Sequence, residues 1–409
     1  MRQQDSDNWR IKQFMRHKPP WMAHKIRYWR IELSSREGSK SFGPWASPMA
    51  LLSDIGRNMV GRIQVAAAGA KLDEPTQSVE VAELLQGDNS EEAFAELVRQ
   101  HAASGVSGVV PKFLDTQSED VGRSAVHKKT TLLTHRHIII GSTGRLPYVT
   151  LNEHLCMQVA ARVVPTARTE LSQDGNALVV HRFDVNDNGQ LRLGMEDFCA
   201  LLGLRPAAKY ETTWERVARA VRDHVPGATQ HETFRQLATT LLLTYALRNA
   251  DCHAKNLALL YTSRADVHLS PAYDMITTVA YPGYQQNPPG ISFMGKKTWS
   301  PGKSLGKFIA ATFGVSVKAQ VEIVEAISDA ASDIAPRVRE AMTRYAAFED
   351  IGKRMLLAWN EGVTGLRNKR VYSLQEWNPS RAFEGFSDPT PHSNEKAVIG
   401  RSEGLARRS

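Results

Sequence analysis

One stretch constrains this chain more than any other. Ala238-Thr-Thr-Leu-Leu-Leu-Thr-Tyr-Ala-Leu247 reads as an apolar helix that runs into a polar loop carrying Asp251, His253, Lys255 and Asn256. A short apolar strand follows, and a second isolated acid, Asp274, stands just beyond Pro271. An Asp and an Asn five positions apart, with a further Asp after the next strand, is a pattern suited to phosphate transfer. One acid can orient or accept a proton, and two oxygen-bearing side chains can hold a metal.

The surrounding chain is large enough to support such a site. At 409 residues and 42% apolar it can bury a sizeable core and is long enough for two or three domains. No run approaches the roughly eighteen uncharged apolar residues of a membrane helix, and Met-Arg-Gln-Gln-Asp-Ser-Asp is no signal sequence, so a soluble, cytoplasmic protein with no membrane partner is expected. Cys156, Cys199 and Cys252 form no CxxC pair and are expected to be reduced thiols. The net charge of +8 is concentrated at one end: residues 1 to 40 hold ten Lys or Arg against four acids. Trp9, Phe14, Trp21, Tyr28 and Trp29 interleave with those charges. Such an arm either contacts a polyanion through phosphate and stacking interactions or packs on the domain behind it or on a partner subunit.

From Pro48 the pattern becomes globular. Leu51, Leu52, Ile55 and Met59 have helical spacing, Val60-Gly-Arg-Ile-Gln-Val-Ala reads as a strand, residues 71 to 90 look irregular, and Ser90 caps a helix to Gln100. Ser104-Gly-Val-Ser-Gly-Val-Val-Pro-Lys112 brackets Ser107 between Gly105 and Gly108, and glycines there would let backbone N–H groups approach a phosphate. Its spacing fits neither the Walker loop nor the kinase glycine loop. Arg136 to Gly141 reads as a buried strand and Leu151 to Arg162 as a helix. Ala167 to Phe183, with its Asp-Gly turn, reads as a hairpin. A helical half follows, with helices expected at about 213–224, 231–248, 318–331, 335–346 and 347–362 and a Pro- and Gly-rich excursion from Pro282 to Ser304. No internal repeat is evident. Trp214, Trp299, Trp359 and Trp377 are read as packing residues.

Together these segments resemble the HipA family of bacterial serine/threonine kinases, the toxin halves of toxin–antitoxin modules. The motifs are Ser-Gly-Val-Ser-Gly-Val-Val-Pro-Lys, His-Arg-Phe-Asp, Leu-Gly-Leu-Arg-Pro-Ala-Ala-Lys-Tyr-Glu, Asn-Ala-Asp-Cys-His-Ala-Lys-Asn and Leu-Ser-Pro-Ala-Tyr-Asp-Met. The resemblance runs from about residue 48 to 370. It implies an α+β, two-lobed protein-kinase-like fold, with a small mixed N-lobe and a mainly helical C-lobe. The expected divisions are a basic aromatic arm at 1–47, an N-terminal subdomain at 48–102, an N-lobe at 103–185, a C-lobe at 186–377 and a poorly ordered tail at 378–409.

The resemblance also implies ATP and Mg²⁺, phosphorylation of an aminoacyl-tRNA synthetase, autophosphorylation of Ser107 or Ser104, and a DNA-binding antitoxin. DNA contact would be indirect or through the arm. Carried over residue by residue, Asp251 is the catalytic aspartate and Asn256 and Asp274 are the metal ligands. Gly105, Ser107, Gly108 and Lys112 form the phosphate loop, and His181 to Phe183 form the hinge beside adenine. His253 is read as a hydrogen-bonding residue of the catalytic loop, while Lys255 either reaches the transferred phosphate or is an exposed loop lysine. The family's strand lysine is replaced here by Ile140 or Gly141, near the helix acid Glu153, and no lysine lies between Lys129 and Lys209. Lys112, Lys128 or Lys129 would have to supply that charge. Three readings follow: a protein kinase toxin, a small-molecule phosphotransferase of aminoglycoside-kinase type, and a weakened kinase or pseudokinase acting as a binding module for an antitoxin and its DNA.

Overall fold

The computed structural model describes residues 59–63, 80–103, 130–134, 136–185 and 193–367, with 99–103 described by backbone alone. The basic arm, the helix expected before Met59, the Ser104 to Lys112 stretch, Lys128, Lys129, Trp377 and the tail lie outside the described residues.

Two helices open the described chain, α1 (Val81–Gln86) and α2 (Glu91–Ala103). Ser90 caps α2 through its Oγ, which accepts from Ala93 N at 3.4 Å, and Glu91 and Glu92 sit where the helix dipole favours acids. The expectation of irregular chain up to residue 90 fails at α1, where Val81, Leu84 and Leu85 form a one-sided apolar stripe and Leu84 is buried. The strand expected from Val60 is also absent over the described residues 60–63. Gly61 has φ +83°, outside strand geometry, and its N–H donates to Asp184 Oδ2 at 2.6 Å.

A four-stranded antiparallel sheet comes next: β1 (Thr130–Leu133), β2 (His137–Gly141), β3 (Thr169–Leu171) and β4 (Ala177–His181), in the order β1-β2-β4-β3. The register pairs His137 with His181 and Gly141 with Ala177. The two central strands are nearly continuous apolar runs because both of their faces are covered. Ile139, Ala177 and Val179 pack with Leu84, Phe94, Val98 and Leu132 beneath α1 and α2. Ile140, Leu178 and Val180 belong instead to the main core, with α3 (Val149–Ala160). The Asp174-Gly175 turn behaves as expected, with Gly175 at φ +75° and Asp174 Oδ1 accepting from Asn176 N at 3.1 Å.

The second half is mainly helical: α4 (Phe198–Leu201), α5 (Trp214–His224), α6 (Gly227–Ala246), α7 (Lys303–Phe313), α8 (Val317–Arg344) and α9 (Glu349–Arg367). A small antiparallel sheet of β5 (Gly194–Asp197), β6 (Ala258–Ser263) and β7 (Asp266–Leu269) lies among them in sequence order. Helix α6 is buried along its C-terminal half, and Thr239, Thr240 and Thr244 return their hydroxyls to the carbonyls four residues earlier, each at 2.9 Å. Two helices expected around Pro336 are one 28-residue helix, α8. A proline inside a helix costs about 3 kcal/mol; burial of Ile327, Ile334 and Val338 on the same helix offsets that cost. Helix α7 was not expected, because the Pro- and Gly-rich run before it masked the spacing of Leu305, Phe308, Ile309 and Phe313.

Trp359 on α9 is fully buried, and its indole N–H donates to Thr277 Oγ1 at 2.7 Å. Trp359→Ala is therefore expected to lower unfolding free energy by about 3–5 kcal/mol, read by chemical denaturation. A loss under about 1 kcal/mol would mean that the site collapses around the gap.

His154 on α3 lies between Thr169 Oγ1 (2.9 Å) and Gln158 Nε2 (2.7 Å). Burial, with a smaller effect of Arg337, pushes its pKa down to about 4. Between that value and the ordinary 6.5 the unfolded chain binds a proton that the folded chain does not, so stability falls as pH drops through this window. His154 is expected to contribute on the order of 2 kcal/mol to the loss between pH 7 and pH 4. His154→Gln should flatten part of that slope in denaturation series at several pH values, and an unchanged slope would contradict the assignment.

Candidate active site

The loop between α6 and β6 and the segment after β7 are tied face to face. Helix α6 ends at Ala246, and two residues on Arg248 takes a left-handed conformation (φ 52°) and turns the chain. Thr278 clamps the two segments: its Oγ1 donates to Arg248 O at 2.9 Å and accepts from Ala250 N at 2.7 Å. Asn249 Oδ1 accepts from Asp251 N at 3.0 Å. On the far side, Asn152 of α3 holds the segment after β7 through Thr277 N (2.9 Å) and Thr277 O (3.1 Å). A bridge between Thr166 and Ala272 ties the same segment to the chain leaving α3.

This frame brings Asp251, Asn256 and Asp274 together. Asn256 Nδ2 donates to Asp274 Oδ2 at 3.0 Å and reaches Asp251 O at 3.4 Å. Asp251, His253 and Asn256 are buried, whereas Lys255 is exposed. Asp274 itself adopts φ 56°, a region that non-glycine residues other than Asn and Asp rarely occupy. His253 Nε2 lies 3.8 Å from Asp251 Oδ1. Burial pushes the His253 pKa down to about 4, against the opposing pull of Asp251, so the ring is neutral near pH 7. A neutral ring at that distance is a structural neighbour of the carboxylate rather than an ion-pair partner. Buried Cys252 has its thiol pushed up to about 12, chiefly by burial, which makes it inert.

Two groups at the site were not singled out from the sequence. Tyr210 donates its phenol hydroxyl to Asp251 Oδ1, and buried Lys209 accepts from Ala254 N through its carbonyl at 3.1 Å. Both sit in the Arg-Pro-Ala-Ala-Lys-Tyr-Glu loop. That loop lies far from Asp251 in the sequence, and no spacing rule connects the two. Tyr284 was not singled out either: burial raises its pKa, with Arg145 opposing and Asp251 adding a smaller push upward.

The residues expected to form the hinge, His181 to Phe183, lie at and just beyond the end of β4. The His181 N–H is donated to Arg168 O (2.9 Å), and its side chain is bonded to Glu170 Oε1 (2.6 Å). The ring of Phe183 lies 5.5 Å from that of Tyr273, beside Asp274. Between these residues, Arg182 and Asp184 form a buried pair, with Nε to Oδ1 at 2.9 Å, and Arg182 Nη2 also binds Met59 O at 3.0 Å. The strand position where a lysine was expected offers no cation. Ile140 is packed in the main core, and a side chain on Gly141 would strike the ring of Phe94 at 2.6 Å. Gly105, Ser104, Ser107, Gly108 and Lys112 lie outside the described residues.

The donor set fits a hard divalent cation that keeps most of its coordination for phosphate and water. Asn256 and Asp274 offer oxygen ligands, and among the described residues no cluster of three or more His, Cys, Asp or Glu could cage a metal alone. Among the described residues no helix is long and apolar enough to cross a membrane.

Comparison with known proteins bears on the family and the fold. The profile of the HipA-like C-terminal domain family matches residues 104–342, more than half of the chain. Two curated relatives from Sinorhizobium fredii carry kinase names. "Putative kinase Y4mE" is 30% identical over 156 residues, 36% of this chain and 36% of that protein. "Putative kinase Y4dM" is 33% identical over 108 residues, 26% of this chain and 25% of its own length. The chain thus spans about a third or less of the curated relatives that it matches. Among solved structures, a chain from the Shewanella oneidensis complex of HipA, HipB and operator DNA matches with TM-score 0.58 and 16% identity, covering 86% of this chain and 84% of that one. At that identity the likeness establishes the kinase-like fold.

Proposed function

The chain belongs to the HipA-like C-terminal domain family, and from that premise we propose that it is an ATP-dependent protein kinase that transfers the γ-phosphate to a serine or threonine hydroxyl. The observation that carries this reading is the convergence of Asp251, Asn256 and Asp274 from two separate segments, with Asn256 Nδ2 and Asp274 Oδ2 at 3.0 Å. Asp251 orients the acceptor hydroxyl and receives its proton. Asn256 and Asp274 hold magnesium, which when bound neutralises charge on the phosphates. The acceptor oxygen forms its bond to the γ-phosphorus as the bridging P–O bond breaks, and ADP leaves with that electron pair. His253 lies beside the Asp251 carboxylate, and Lys255, exposed on the same loop, would contact the transferred phosphate. By the family resemblance Gly105, Ser107, Gly108 and Lys112 would cover the phosphates, and residues 181–183 would border adenine.

Phosphorylation of Ser107 or Ser104 would add roughly −1.5 to −2 charge to that loop and oppose ATP binding. The family also supplies the expectation of an aminoacyl-tRNA synthetase as acceptor and of a DNA-binding antitoxin as partner, with DNA contacted through that antitoxin or the basic arm. The Shewanella match, a complex of toxin, antitoxin and operator DNA, supports the partner reading.

Incubation with radiolabelled ATP, magnesium and a clarified bacterial lysate tests the activity: label should enter protein bands and depend on Asp251. Label entering only small molecules would select the metabolite-kinase reading instead. One observation favours a second reading, a nucleotide-poor binding module: the packed Ile140 and the crowded Gly141 leave β2 without the expected cation. Calorimetry separates the two, since micromolar MgATP affinity supports the kinase and its absence supports the module.

A further inference from the structure

Asp251 has two carboxylate oxygens in different surroundings. Oδ1 accepts the Tyr210 hydroxyl and lies 3.8 Å from His253 Nε2. Among the described residues, no hydrogen bond reaches Oδ2.

Tyr210 is held from several directions. Its ring stands edge-on to His253, 5.0 Å between centroids at 71°. The ammonium groups of Lys209 and Lys297 lie 5.0 and 5.4 Å from its ring centre, and Lys297 Nζ donates to Tyr210 O at 3.3 Å. The neighbouring Lys209 carbonyl accepts from Ala254 N, inside the catalytic loop. Burial, together with the charges of Asp251 and Asp274, raises the phenol pKa well above the ordinary tyrosine range, so it remains a donor at any working pH.

A hydroxyl on a proton acceptor can either serve it or block it. As a plug in the acceptor's place, the Tyr210 side chain would have to leave before every transfer and give up the His253 edge and both ammonium contacts. As a support it stays, because Oδ2 remains for the incoming hydroxyl. We infer that Tyr210 is a positioning residue that occupies Asp251 Oδ1 and thereby presents Oδ2 to the acceptor hydroxyl; this rests on the reading of Asp251 as the group that receives the acceptor's proton.

The test measures single-turnover transfer from radiolabelled MgATP into proteins of a clarified bacterial lysate, together with KM for ATP. Tyr210→Phe is expected to lower the transfer rate about tenfold, the scale of a lost hydrogen bond to a charged group, with KM for ATP within about twofold. In the Asp251→Asn background the same substitution should have no further effect, since two groups acting as a unit are non-additive. An unchanged or faster rate would make Tyr210 a bystander or a plug. An equal loss in the Asp251→Asn background would mean that it acts elsewhere, and a raised KM would mean general loosening of the site. Each of these outcomes overturns the inference while leaving Asp251 as base, whereas wild-type transfer by Asp251→Asn overturns the base reading itself. Should Tyr210→Phe fail to fold, Lys297→Met removes the tie to the Tyr210 carbonyl without touching Asp251. It is expected to lower the rate about threefold, as loss of one exposed hydrogen bond would, again at unchanged KM, and full activity there counts against the inference.

Discussion

Asp251→Asn is expected to lower phosphate transfer roughly 10²- to 10⁴-fold, the usual contribution of a positioned general base, while leaving MgATP affinity within about threefold of wild type. The substitution is nearly isosteric. The amide oxygen can still accept the Tyr210 hydroxyl at the Oδ1 position, and the backbone N–H of residue 251 keeps its bond to Asn249. What changes is the second position, where an N–H₂ donor replaces an acceptor and can no longer receive a proton. The loop itself should hold, because Thr278, Asn249 and the Asn256 amide fasten it through backbone atoms that the substitution does not touch. Single-turnover transfer and calorimetry on the same sample separate the two effects. A normal rate would remove Asp251 from the chemistry, and a lost rate accompanied by lost nucleotide affinity would mean that the site had collapsed.

The parts of this site that could be read from the sequence are the parts that lie close together in it. Asp251 and Asn256 share one loop, and Asp274 follows one hairpin later, so spacing alone associates them. Tyr210 reaches Asp251 across forty-one positions. Its place depends on how the loop before α5 folds back onto the loop before β6, which is a tertiary fact with no local signature. The fold divides along the same line. The central strands β2 and β4 are legible because burial on both faces leaves continuous apolar runs, and the β3–β4 hairpin because Asp174-Gly175 demands a turn. Helix α8 was divided in two because Pro336 is a strong local breaker, yet packing of Ile334 and Val338 outweighs it. The bend at Gly61 was likewise hidden, since it is held by Asp184, more than a hundred residues away.

Asp274, the proposed metal ligand, permits a sharp experiment because its backbone conformation constrains the choice of substitution. At φ 56° it occupies a region that Asn tolerates and that costs other L-residues roughly 1–2 kcal/mol. Asp274→Asn therefore removes the charge while sparing the backbone, whereas Asp274→Ala removes the charge and adds strain. Without ligands, Asp274→Asn is expected to melt close to wild type, because its amide oxygen can still accept from Asn256, with the bond no longer charge-assisted, while a negative charge near Asp251 is relieved. With magnesium and ATP the difference should be large. If Asn256 and Asp274 hold the cation as proposed, binding depends heavily on the one that carries charge, and MgATP affinity should fall by at least about tenfold, equivalent to about 1.4 kcal/mol. At a ligand concentration near 100 times the wild-type Kd, wild type gains about 2.7 kcal/mol of stability, and the variant should gain about half of that or less. If Asp274→Ala alone were impaired, the residue would matter only for its backbone. If both variants lose the magnesium-dependent stabilisation to the same extent, the carboxylate is the ligand, and the strained φ is a means of aiming it at Asn256.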